Sequence, residues 1–301
     1  MIAFRLLLVA GVSFCLGIGQ CNAWSGAGHM VIAAEAFREL PAKRKAKVTE
    51  ILKAHPEYDR WQRSYERDAK TLDLDLYVFM KASTWPDEIR RKGGEHDHPK
   101  WHYIDYPLRS PRFRFEGAPD KDNDILFGLE NCAKTLGSRR SSTEARAVAL
   151  SWLIHLVGDI HQPLHCASFF SEEYPDGDKG GNELFVSPGG RGIRLHSFWD
   201  GLLGTRANMH THLNEAIRLA SEYPRRSFKN LKSGKPKGWS REGRDLALEQ
   251  AYLRGNLRGG KSAEAAPALP EGYAKAAKEL AERQGALAGY RLADEIGSFV
   301  R

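Results

Sequence analysis

Apolar residues recur at helical spacing over residues 25–40, where Val31, Ala34 and Phe37 form a stripe with Ile32 and Ala36 beside it. Pro41 opens a second, more basic helix reaching about residue 54, and residues 58–80 read as further helix ending near Met80. From 81 to about 122 the period breaks into a loop with several prolines and glycines. Asn123 or Asp124 then offers a cap for a helix to Leu136, closed by Gly137. The strongest segment follows Thr143 and runs over 145–160. It is nearly apolar all round, which predicts a buried central helix. Beyond Pro163 comes a loop rich in Asp and Gly, and the short runs 183–186 and 193–195 predict a small β-hairpin across Ser-Pro-Gly-Gly-Arg-Gly. Helical patterning returns over 197–203, 207–222, 241–254 and 271–297, with looser stretches at 229–238 and 255–270. There is no repeat, no Walker loop and no Rossmann glycine pattern. The expected fold class is all-α: one mainly helical domain with a small hairpin.

Composition narrows the picture only a little. A chain of 301 residues can bury a large core, and no internal run reaches the ~20 apolar residues of a membrane span, so no membrane anchor is expected. The formal charge of +7 is moderate and spread along the chain; it suits a polyanionic substrate without requiring one. The first 23 residues read as a signal peptide: Arg5, an apolar run over 6–18, and Cys21-Asn22-Ala23 before the cleavage point. Gln20 before Cys21 argues against a lipoprotein. Cleavage after Ala23 would make Trp24 the first mature residue, with the mature domain running over 24–301. Of four cysteines only Cys132 and Cys166 would then remain, enough for one possible disulfide. With no glycosylation sequon in the chain, a bacterial periplasmic or secreted enzyme is the simplest expectation.

Candidate chemistry concentrates in residues 151–166, Ser-Trp-Leu-Ile-His-Leu-Val-Gly-Asp-Ile-His-Gln-Pro-Leu-His-Cys. On a helix, His155 and Asp159 are four residues apart and project from one face. Pro163 ends that helix, leaving His165 free to approach the same point from another direction. Imidazoles and a carboxylate on an apolar wall are what a zinc site requires. Four other segments carry similar residues: Trp24 with His29, Asp87 with Arg90 after Trp85-Pro86, His102 with Tyr103 and Asp105, and His196 with Asp200. The last repeats the i, i+4 spacing, and the total exceeds the needs of one tetrahedral ion.

Each residue also has a plainer reading. His29 or His196 alone would more often be a hydrogen-bonded structural histidine, and Asp87 could be a helix cap. Their accumulation beside apolar residues, where an unpaired carboxylate is costly, favours a multinuclear zinc site. His161 fails the geometric test, since two residues of helix turn it about 200° from Asp159. His96 and His98 fall in a solvated loop, and His55, His210 and His212 read as surface residues. No Gly-x-Ser-x-Gly elbow is present, and neither mature cysteine has a catalytic setting.

In this order, the segments resemble the zinc-dependent single-strand-specific nuclease and 3'-nucleotidase family of fungi, plants and bacteria, which shares its fold with zinc phospholipase C. The resemblance spans the mature chain and rests on Trp-x4-His, Trp-x-Asp-x-x-Arg, His-x-x-Asp, His-x3-Asp-x-x-Gln-Pro-x-His, Gly-Gly-Asn and a closing His-x3-Asp. It implies three Zn2+ per chain. One would be held by Asp87, His102, His155 and Asp159, and a second by His165, His196 and Asp200. The third would take His29, Asp159 as a bridge, and the amine and carbonyl of Trp24, making signal cleavage an activation step. It further implies in-line attack on phosphorus by a zinc-bridging hydroxide, with Arg90 neutralising phosphoryl charge and 5'-phosphate products. Tyr103 would stack a base, Asp105 would bond its edge, and Asn182 could contact substrate or be a plain turn residue. The implied partners are single-stranded DNA and RNA and 3'-nucleotides, and the chain is expected to be a monomer. Arg109, Arg112 and Arg114 in the loop 104–115 could track a nucleic-acid backbone or simply be solvated. Two rival readings stand beside this one: a phospholipase C, which typically carries Glu where Asp200 stands here, and a non-catalytic zinc-binding protein.

Overall fold

The structure, a computed structural model, describes residues 24–90, 92–110, 123–204, 208–232 and 235–299. The expected signal peptide, Arg112 and Arg114 lie outside the described residues. Helix α1 (Gly26–Glu39) starts at Ser25, whose hydroxyl accepts from the Gly28 amide at 3.3 Å. That bond satisfies one of the orphan donors of the first turn. Helix α2 (Ala42–Leu52) follows Pro41 as the pattern predicts.

The next stretch differs from the sequence expectation. Instead of one helix ending near Met80, α3 (Tyr58–Asp68) and α4 (Leu74–Arg90) are separate, and α4 carries Pro86 within it. Asp73 starts α4 by accepting from the Leu76 amide at 2.8 Å. An interior proline costs ~3 kcal/mol. The offset comes from packing: Phe79, Met80, Trp85 and Ile89 are all buried, each apolar side chain contributing ~1.5–3 kcal/mol. Pattern alone cannot weigh that burial against the proline, so the helix extends ten residues beyond its expected end.

Asp124 caps α5 (Ile125–Gly137) by accepting from the amides of Leu126 and Phe127, and Ser142 caps α6 (Thr143–Asp159). Every residue of α6 from Ala147 to Asp159 is buried. Helices α1, α2, α4 and α5 pack around it, together with α10 (Tyr273–Phe299). Helices α7 (Leu195–Asp200), α8 (Met209–Glu222) and α9 (Pro236–Leu246) complete the α-helices among the described residues.

Two pieces of sheet punctuate the helices. A parallel pair joins β1 (Tyr106–Arg109) to β2 (Ala167–Phe170), in register from Tyr106 opposite Ala167 to Arg109 opposite Phe170. Four residues with no polar alternation gave no signal for it. The expected hairpin is present as β3 (Phe185–Val186) and β4 (Ile193–Arg194).

Three further expectations change. His55 and His212 are buried. His55 stacks on Trp61 and meets the edge of Trp85, both at 4.5 Å between centroids, and burial pushes its pKa down to about 3. Cys132 and Cys166 are buried free thiols, so the possible disulfide is absent. No helix among the described residues is long and apolar enough to cross a membrane.

Candidate metal centre

Helix α6 delivers His155 and Asp159 from one face of its last turns, as their spacing requires. Around Asp159 three imidazoles converge. His29 Nε2 lies 3.2 Å from Oδ1, while His102 Nδ1 and His155 Nε2 lie 3.1 and 3.2 Å from Oδ2. Asp87 Oδ1, brought by the α4 turn containing Pro86, is 3.8 Å from His155 Nε2 and 3.9 Å from His102 Nδ1. His29 stacks on His155 at 4.0 Å. That stack needs Gly158: a Cβ there would stand 2.8 Å from His29 Nδ1. Trp24 is buried, and its indole donates to the Gly158 carbonyl at 3.0 Å, fixing Trp24 beside the residue that precedes Asp159.

The second cluster lies past the Pro163 turn. His165 and His196 approach Nε2 to Nε2 at 3.1 Å, and Asp200 lies 4.0 and 3.6 Å from those nitrogens. His165, delivered by the Pro163–Cys166 turn, and His196 and Asp200, on α7, thus meet as the spacing argument anticipated. In all, three sets have the proximity and chemistry to hold a cation: His29/Asp87/His155 and His102/His155/Asp159, which share His155, and the separate His165/His196/Asp200.

Hydrogen bonds behind the rings decide which nitrogen faces inward. His155, His165 and His196 each direct Nδ1 at a backbone carbonyl: Ser83 at 2.8 Å, His102 at 2.6 Å and Gly180 at 2.6 Å. A carbonyl only accepts, so Nδ1 carries the proton; on His165 and His196, which burial keeps neutral, Nε2 then presents a lone pair to the cluster. Two lone pairs 3.1 Å apart repel unless positive charge lies among them. Tetrahedral zinc with bonds of ~2.0–2.1 Å separates its nitrogens by ~3.3 Å, close to that spacing. Asp87 Oδ1, Asp159 Oδ1, His29 Nδ1 and His102 Nε2 are buried without hydrogen-bond partners. The donor set, nitrogen and carboxylate oxygen in a dry wall, therefore fits a cation of the zinc type.

Electrostatics differ between the clusters. Burial pushes the Asp159 carboxyl up, but the His155 charge and the three imidazoles gathered around it outweigh burial and hold the group well below the carboxylate range. Burial lowers His155, yet Asp159 and Asp87 carry it up to about 9. Burial and His165 push His196 down to about 3. Asp200 rises well above the usual range, chiefly through burial, although it accepts from the Gln162 amide at 2.8 Å.

A cavity of about 230 Å3 opens over both clusters, lined by Arg90, His102, Tyr103, Asp105, His165, Lys179, Asn182 and His196. Tyr103 is 38% exposed there. Asp105 is pushed up to about 6 by burial and by Asp178. Arg90 Nη1 lies 3.9 Å from Asp87 Oδ1, one helical turn along α4. The expected His and Asp ligands fall on two adjoining clusters and Arg90, Tyr103, Asp105 and Asn182 on the cavity, whereas Trp24 is placed by its indole bond to the Gly158 carbonyl and His161 falls outside. His161 Nδ1 faces the Val157 carbonyl at 2.7 Å and Nε2 faces Arg291 at 3.0 Å.

Sequence reasoning missed the supports behind the second cluster. Asp178 is buried; its Oδ1 accepts from the Phe169 amide and the Tyr252 hydroxyl, both at 2.9 Å. It anchors a tight loop in which Lys179, Gly180 and Gly181 all have positive φ, and Gly180 hands its carbonyl to His196. A Cβ on Gly180 would stand 2.5 Å from the Leu164 carbonyl. Only the Gly-Gly pair gave a hint of this; Tyr252 lies seventy-four residues from Asp178 and had none.

A family model described as S1/P1 Nuclease matches residues 24–301. Endonuclease 4 of Arabidopsis thaliana is 28% identical over 167 residues, covering 51% of each chain. Nuclease S1 of Aspergillus oryzae is 28% identical over 175 residues, 56% of each chain. Nuclease P1 of Penicillium citrinum is 29% identical over 121 residues, 39% of this chain and 42% of its own. The chain spans about half the length of curated relatives such as Endonuclease 4. Because the family match begins at Trp24 and takes in every residue of both clusters and the cavity above them, the chain belongs to the S1/P1 nuclease family.

Proposed function

We propose that this chain is a zinc-dependent endonuclease that hydrolyses phosphodiester bonds of single-stranded DNA and RNA, leaving 5'-phosphates, and that it also removes phosphate from 3'-nucleotides. The observation that carries the reading is the pairing of two buried His/Asp clusters with one cavity holding an arginine, an aromatic ring and a carboxylate. Three zinc ions are proposed: one on Asp87, His102, His155 and Asp159, one on His165, His196 and Asp200, and one on His29, Asp159 and the amine and carbonyl of Trp24. A free α-amine has a pKa near 8, so a metal can displace its proton; signal cleavage after Ala23 would create that ligand. Residues 24–301 are proposed to form one catalytic domain of a periplasmic or secreted protein.

Bound zinc supplies Lewis acidity and lowers the pKa of water beside the phosphorus. The chain's own residues do the rest. Arg90 faces the cavity and balances charge building on the phosphoryl oxygens. Tyr103 offers a stacking face worth ~1–3 kcal/mol per base. Asp105 accepts from donors on a base edge when ionised, and Asn182 lines the same cavity. Asp159, shared between imidazoles, holds His29, His102 and His155 in one geometry.

A zinc count on protein with a native Trp24 terminus, paired with cleavage of denatured DNA, tests the proposal. Three ions and 5'-phosphorylated products are expected. Fewer than three under zinc-replete conditions would count against the ligand sets. Turnover of phosphatidylcholine without turnover of DNA would replace the nuclease with a phospholipase, and zinc-loaded protein that hydrolyses neither would be a binding protein.

A further inference from the structure

A second groove adjoins the catalytic cavity, and none of its features is used by the chemistry above. It has a volume of about 370 Å3 and lies between α5, α6 and the segment before His102. Trp101, Trp152 and His98 line it: His98 stacks on Trp101 at 3.9 Å, and Trp101 meets Trp152 edge-on at 5.1 Å. Asn131 and Thr135 form its α5 wall. Four residues before Asn131, on the same face of α5, stands Phe127. Its ring is 46% exposed and packs 6.1 Å from Trp101.

A single exposed aromatic is ordinary on a protein surface. Phe127 is less ordinary because of where it stands. The Ile125 amide, at the head of α5, donates to the Tyr103 carbonyl at 3.1 Å. The segment that presents Tyr103 to the catalytic cavity is therefore tied to the helical turn that presents Phe127. Tyr103 and Phe127 are two of three large hydrophobic side chains exposed among the described residues. From Phe127 the α5 face continues through Asn131 to Thr135, roughly 12 Å at 1.5 Å per residue. The result is a run of rings joined through Trp101: Tyr103 in the cavity, then Phe127 and His98 packed against buried Trp101, with Trp152 beneath and amide and hydroxyl groups on the groove's wall.

Planar rings with sparse hydrogen-bonding groups suit bases, which all have a π-face. Exposed Glu144 at the groove's far side disfavours a phosphate there and can accept from an exocyclic amine. We infer that the Phe127 edge and the His98/Trp101/Trp152 groove form a further base-binding subsite for single-stranded nucleic acid, beyond the nucleotide held at Tyr103. The inference rests on the nuclease reading for its ligand class.

The test compares substrates that do and do not reach this run of rings. Phe127→Ala should lower kcat/KM on a single-stranded decanucleotide about tenfold or more, with hydrolysis of a 3'-mononucleotide unchanged within about twofold. Phe127→Trp should restore the decanucleotide rate. Equal loss on both substrates, or no loss on the decanucleotide, would overturn the subsite. A parallel measurement separates this inference from the nuclease reading: anisotropy of a labelled, hydrolysis-resistant decanucleotide. If the enzyme cleaves nothing, weaker binding by Phe127→Ala still supports the subsite and unchanged binding removes it. Because Phe127 is exposed, an unaltered melting temperature should accompany the substitution.

Discussion

The cluster around Asp159 and the cluster around His196 use the same residue types in opposite electrostatic settings. At Asp159, one carboxylate meets three imidazoles with Asp87 nearby, so His155 rises to about 9 and Asp159 falls well below its range. At His196, two imidazoles face each other and one carboxyl is dehydrated, so His196 falls to about 3 and Asp200 rises. The first cluster is held together by its own charges. The second is held by its surroundings: Gln162 on Asp200, the Gly180 carbonyl on His196, and Asp178 behind that loop. Identical ligand chemistry can thus rest on pairing in one place and on scaffolding in another.

The largest effect that would break this contrast comes from Asp159→Asn. It removes the carboxylate that organises three rings, so single-strand cleavage should fall by at least ~10³-fold. Zinc content should drop by more than one equivalent, whereas Asp200→Asn should lose at most one. Equal losses in elemental analysis would mean that the clusters are not differently organised.

Next comes Gly158→Ala, which puts a methyl 2.8 Å from His29 Nδ1. Displacement of that ring should cost about 10²-fold in kcat, with a stability loss of ~1–3 kcal/mol seen in the melting transition. A variant with full activity would show that the His29–His155 stack is dispensable.

Tyr252→Phe probes the scaffolded cluster alone. Losing the hydroxyl on Asp178 should weaken the zinc bound at His165/His196/Asp200 about tenfold and cost ~1 kcal/mol of stability. Competition with a chelator measures the first and thermal unfolding the second. Loss from the Asp159 cluster instead would contradict the division of supports.

The smallest effect concerns Asp105, whose pKa of about 6 exceeds the ordinary aspartate value. Folding then favours its protonated form, so this group lowers stability as pH rises from about 4 through 6. Its ionised form, the stronger acceptor, appears as pH rises through about 6. KM for single strands should fall severalfold between pH 5 and 7, and Asp105→Asn should flatten that profile.

Local pattern carried much of this. Asp124 caps α5 as one of the two positions the pattern offered, and His155 with Asp159, like His196 with Asp200, needed only the geometry of one helix. Position 86 was misread because a proline's local cost is visible in sequence while the burial around α4 is not. His55 was misread for a similar reason: two tryptophans, from α3 and α4, enclose it. The β1–β2 pair joins segments some sixty residues apart that have too few residues for a period.

By itself the sequence determined which helix would be buried and which His and Asp residues share a helix face in metal-ligating pairs, because helical spacing and side-chain type are local properties. Tertiary structure alone decided how those residues divide. It set Asp159 among three rings and His196 against a carbonyl, and it tied Tyr103 to the head of α5 beside Phe127. Those outcomes depend on which distant surfaces exclude water from one another, and no local spacing encodes that.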